Sequence, residues 1–130
     1  MKRKLLCVLA MAFWLGACAH NTAGVTINAQ GQVSTDGSAL TRDISLSDAR
    51  SMMTGGFLRA SALITNQTTS DLDVQYKFTW YDVQGLVVED SASPWIPLQL
   101  YGKARQQVQG VAPNATVAGF TLTVRPIYSQ

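Results

Sequence analysis

The chain holds one histidine and two cysteines, and each shortage excludes a chemistry. His20 lies near the N-terminus, ahead of every patterned segment. A Ser-His-Asp triad or a histidine–zinc site needs an imidazole held in fixed geometry, and this one has no element to hold it. Cys7 and Cys18 are the two cysteines. Residues 19–130 therefore offer no disulfide, thiol nucleophile or cysteine–metal site. Glycine-rich phosphate loops are missing. Asp82-Val83-Gln84-Gly85 is a D-x-x-G between two strand patterns, which makes it a hairpin turn. Asp71 and Asp73 flank Leu72 without the dense oxygen spacing of a calcium loop. Glu89 and Asp90 are neighbours near a strand end, not acids converging in a cleft. No enzyme, cofactor or metal is expected.

Long apolar runs are also missing. The longest, Leu5 to Leu15, is about half of the roughly 20 residues that a helix needs to cross a bilayer. It follows the basic Met1-Lys2-Arg3-Lys4 and precedes Gly16-Ala17-Cys18, the pattern of a secretory signal with a cleavage site. Leu15-Gly16-Ala17-Cys18 resembles the lipobox of bacterial lipoproteins. That resemblance implies a signal peptide over residues 1–17 and lipid attachment at Cys18. Removing Lys2, Arg3 and Lys4 leaves seven of the ten Lys and Arg against eight Asp and Glu, a net charge of −1. A nearly neutral domain lacks the basic face of a nucleic-acid binder. Each acyl CH₂ buried contributes about 0.8 kcal/mol, so several chains hold a protein on a membrane without a basic patch. Ala19 stands where an Asp would signal inner-membrane retention, which points to the periplasmic face of the outer membrane.

Residues 18–40 are rich in Asn, Thr, Gly, Gln and Ser and read as a flexible tether, with Val25-Thr26-Ile27 as its one candidate for a short edge strand. Residues 41–130 form the domain. Ser47 to Met53 suggests a helical turn, capped by Ser47, with Asp48 in its first turn and Thr54-Gly55-Gly56 as its stop. From Phe57 the period is two. Leu58, Ala60, Ala62 and Ile64 share one face. After the polar Asn66–Asp71 loop, Leu72, Val74, Tyr76, Phe78 and Trp80 alternate with Asp73, Gln75, Lys77 and Thr79. Such alternation specifies a half-buried antiparallel strand. Leu86 to Glu89 is its expected hairpin partner. Pro94 and Pro97 limit Ser93–Leu100 to an edge strand or crossover. Arg105 to Val111 is a polar strand centred on Val108. Thr116 to Arg125 is the last strand, with Ala118, Phe120, Leu122 and Val124 inward. Short strands with regular turns predict an all-β antiparallel sandwich of about seven strands. The alternative is a small open barrel.

Tyr81 falls on the outer face beside a turn, and Trp95 lies between prolines. With Tyr101 and Arg105 they are residue types enriched at interfaces. They form a candidate interaction surface, or else Trp95 covers the sandwich edge. Ile64–Ser70, Gln75–Gly85, Pro94-Trp95 and Leu100–Lys103 resemble the YcfL-type small lipoproteins of Gram-negative bacteria, a family of unknown function. Phe78-Thr79-Trp80-Tyr81-Asp82 is more distantly similar to the FxLYD-type envelope domains, with Trp80 in place of Leu. These resemblances imply a periplasmic immunoglobulin-like sandwich and an association with envelope biogenesis. The function expected is a non-enzymatic, membrane-tethered module that binds an envelope protein. The alternative is a module for a glycan or small ligand such as peptidoglycan.

Overall fold

The computed structural model describes residues 24–35 and 40–127. The expected signal peptide, Cys18 and His20 lie outside them. Eight strands are described: β1 (Val25–Asn28), β2 (Val33–Thr35), β3 (Ile44–Thr54), β4 (Phe57–Asn66), β5 (Leu72–Asp82), β6 (Ile96–Leu100), β7 (Arg105–Val111) and β8 (Val117–Pro126). A short helix, α1 (Leu40–Asp43), and a 3-10 turn at Asp90–Ala92 complete the chain. All pairings are antiparallel, in sheets of order β2-β1-β8-β5-β6 and β3-β4-β7. The antiparallel β-sandwich expected from the alternation is the fold found.

The core lies between the sheets. Leu58, Ala60, Ala62 and Ile64 face it from β4, and Val74, Phe78 and Trp80 from β5. Phe78 stacks on Trp80 at 5.5 Å between centroids, and Phe120 tilts against both. Gly110 on β7 lies under this cluster. A Cβ there would stand 2.8 Å from a Phe78 ring carbon, so only glycine lets β7 approach so closely.

Four expectations are corrected. Val25 and Ile27 do not lie in a tether: β1 is an inner strand between β2 and β8, and both side chains are buried, 2% and 1% exposed. Two apolar residues at period two are enough once both edges of the strand are paired. Thr26, between them, faces out and meets the Thr123 hydroxyl at 3.0 Å. The sandwich therefore begins well before residue 41. Ser47 to Met53 is strand, not helical turn. The β3–β4 register shifts between Ser47 and Arg50, and Asp48 adopts φ +53°. Asp tolerates that left-handed conformation better than most residues, so a sequence that looks like a helix cap makes a bulge. Gly55 and Gly56, at φ +61° and +85°, close the hairpin.

Leu86–Glu89 is no strand. It contributes one bridge, Tyr81↔Val87, with the Val88 N–H donating to the Trp80 carbonyl and the Asp82 N–H to the Leu86 carbonyl. Glu89, at φ +43°, then turns the chain off the β5 edge. The chain returns to it at Ile96, opposite Tyr76. Finally, Ala118 is exposed and Val117 is buried. A bulge sets Tyr81 opposite Gly119 but Asp82 opposite Val117. The extra residue reverses the facing of everything before it.

The topology gives the sandwich two distinct ends. The hairpin turns β1–β2, β3–β4 and β7–β8 lie at one end. The start of β1, the β4–β5 loop and the β6–β7 turn lie at the other.

Candidate functional site

Asn66 organises the end where β1 begins. It ends β4, is 0% exposed, and its amide nitrogen lies 2.8, 3.1 and 3.0 Å from the carbonyls of Ser70, Leu100 and Tyr101. Its oxygen accepts from the Thr68 N–H and hydroxyl at 2.9 and 2.8 Å. One side chain thus ties the β4–β5 loop to the β6–β7 turn. The resemblance stretch Ile64–Ser70 marks this framework, which is structural.

The four expected interface residues do not form one patch. Trp95 lies half-buried on the outer face of the five-stranded sheet, with the Arg125 guanidinium 3.7 Å from its ring centroid and the Lys77 ammonium at 5.9 Å. Lys77 also pairs with Asp90 at 3.0 Å. Gln75, with its amide oxygen turned toward Arg125, accepts from Nε at 2.6 Å and Nη2 at 3.0 Å. Trp95 is therefore packed by cations on this face. Tyr81 lies on the same sheet, four residues past Lys77 and so about 13 Å along β5. Its hydroxyl is 3.4 Å from that of Thr121. Tyr101 is 62% exposed in the β6–β7 turn, and Arg105 starts β7 opposite Thr65 on the other sheet.

The strand edges show a sharper feature. β2 has three residues, β6 carries Pro97, and β3 is bulged at Asp48. Shortness, proline and bulges all blunt an edge against pairing. Among the described residues, β7 pairs only with β4 and runs seven residues without proline or bulge, its one charge at Arg105. Beside it, the chain's detour off β5 leaves a groove of about 170 Å³, lined by Phe78, Trp80, Ser93, Pro94, Gly110 and Val111. An extended segment laid along β7 would find main-chain partners and an apolar groove for alternate side chains. Sequence reasoning marked β7 as a polar strand. It missed the free edge, because strand order is a long-range property.

Among the described residues, no group of three or more His, Cys, Asp or Glu is placed to hold a metal. Burial pushes the Tyr76 phenol above its ordinary value.

The model of a protein family of unknown function, DUF1425, matches residues 31–126. The chain belongs to the DUF1425 family. A DUF1425 member from Shewanella sp. pv-4, solved by crystallography, is 34% identical, with a TM-score of 0.62 over 85% of this chain and 95% of that one. Campylobacter jejuni Cj0090 shares the fold at 20% identity and a TM-score of 0.59, over 70% of this chain and 94% of its own. No curated protein matches. The DUF1425 match takes in β2 and all of β3–β8, so the free β7 edge lies within the family domain.

Proposed function

We propose that this DUF1425 protein is a YcfL-type lipoprotein, anchored by Cys18 to the periplasmic face of the outer membrane. In this reading it binds an extended segment of an envelope protein by strand addition to β7, in the service of envelope biogenesis. The observation that carries it is the unblunted β7 edge beside the Phe78/Trp80 groove. The lipobox, and Ala19 after it, support the anchor and the membrane. Cys18 and Val25 are seven residues apart, a span of at most about 25 Å fully extended. A lipidated Cys18 thus keeps the β1 end near the bilayer and turns the β3–β4 hairpin end toward the periplasm.

Crosslinking in intact cells followed by mass spectrometry tests this reading. The wild type should yield a defined envelope protein. The double variant Gln107→Lys, Gln109→Lys puts charges on the edge through outward side chains and should lose that partner. Trp95→Ala, on the other sheet, should keep it. Recovery unaffected by the β7 lysines would refute strand addition. Sedimentation with purified peptidoglycan separates the glycan alternative, because a protein partner alone gives no binding there.

A further inference from the structure

The outer face of the three-stranded sheet carries a concavity of about 420 Å³, lined by Arg50, Ser51, Met52, Arg59, Ser61 and Gln109. The register explains its make-up. Arg50 stands opposite Ser61, and Met52 opposite Arg59. The two arginines are therefore diagonal neighbours on one face, with Cβ atoms about 7 Å apart. Gln109 completes the row beyond Ser61, and Val111 stands beside Arg59.

Neither guanidinium has an ion pair or hydrogen bond among the described residues, where the one ion pair is Lys77–Asp90 on the other sheet. Asp48, at the bulge two residues before Arg50, does not pair with it. Arg105 adds a third positive charge further along the same face. Like charges this close repel while unpartnered. A planar carboxylate between two guanidinium forks would relieve that repulsion through charge-assisted bonds. Around the arginines, Met52, Phe57 and Val111 are exposed apolar side chains on the same face. The only ring in this set is Phe57, at the hairpin tip, so the lining suits apolar side chains better than sugar stacking.

We infer that this concavity binds a carboxylate within an acidic–apolar segment of a partner protein, with Arg50 and Arg59 as the clamp and Met52, Phe57 and Val111 as the rim. The inference rests on the reading of the domain as a protein-interaction module. Gln109 and Val111 connect the two surfaces: each lines the β7 groove, and each also reaches the arginine face. A segment paired with β7 therefore continues onto the clamp.

The test is NMR titration of arginine-labelled full chain in non-ionic detergent, following the Nε–H signals. The probes are acetyl-Leu-Glu-Leu-amide, its Gln counterpart and N-acetylmuramic acid. The Glu peptide should shift Arg50 and Arg59 saturably and leave Arg125 unmoved, and the Gln peptide should shift neither. R50Q or R59Q should weaken Glu-peptide binding about tenfold, the equivalent of about 1.4 kcal/mol. Shifts that are absent, spread over all arginines or equal for both peptides would overturn the inference. A response to N-acetylmuramic acid without one to the Glu peptide would overturn it too and reassign the clamp to glycan. An envelope partner still captured through β7 while the arginines stay silent would remove the clamp alone. Responding arginines with no captured partner would remove strand addition alone.

Discussion

Asn66→Ala removes a buried amide that serves both sides of a loop junction. Its nitrogen lies within 3.1 Å of three carbonyls and its oxygen accepts two bonds from Thr68. A typical intramolecular hydrogen bond contributes about 1 kcal/mol net, and a buried group left unpaired costs about 1–3 kcal/mol. The Leu100 carbonyl contact is fully buried, while those of Ser70 and Tyr101 reach toward water that can replace the amide. The loss should therefore be about 3 kcal/mol. For a domain of this size that lowers Tm by roughly 12–24 °C. Asn66→Asp keeps the shape but turns a carboxylate toward three carbonyls, so it should cost more than alanine. Thr68→Val removes only the Thr68 hydroxyl contacts and should cost about 1 kcal/mol. A double-mutant cycle between positions 66 and 68 should show coupling above about 0.5 kcal/mol. Urea unfolding followed by tryptophan fluorescence measures all of these. A cost below about 1 kcal/mol for Asn66→Ala, or an Asp variant milder than the Ala variant, would refute the reasoning.

Two other outcomes follow from the same geometry and a third from the lipobox. Gly110→Val should cost at least about 2 kcal/mol by overpacking, since its Cβ would meet the Phe78 ring at 2.8 Å; thermal unfolding checks it. Val117→Ala should cost about 2 kcal/mol as a core truncation while Ala118→Ser stays near neutral, because the bulge buries the first and exposes the second. Equal effects in denaturant melts would contradict the bulge. Cys18→Ser should move the protein from the membrane to the soluble fraction and abolish incorporation of labelled palmitate.

Strict period-two stretches were legible in the sequence. Leu58–Ile64 and Val74–Trp80 place their inward residues as the alternation requires. Val108 is likewise the buried centre of β7. The misreadings cluster at bulges and sheet neighbours. Ser47 and Asp48 look like a helix start because the carboxylate that suits a helix's first turn also tolerates a left-handed bulge. Ala118 was expected inward because one inserted residue is invisible to periodicity. Val25-Thr26-Ile27 suggested only an edge strand of a tether, because its place between β2 and β8 is set by residues far away in the chain. The clamp was hidden because Ser47–Met53 looked helical. Once that segment is strand, the Gly55-Gly56 hairpin sets Arg50 opposite Ser61 and so diagonal to Arg59.

Strand addition to β7 is tested most directly by site-specific photocrosslinking in living cells. A photoreactive amino acid at Gln107, on the free edge, should give one dominant adduct with an envelope protein. The same probe at Thr123, on the outer face of the five-stranded sheet, should give none. No adduct from position 107, or the same adduct from both positions, would contradict the account.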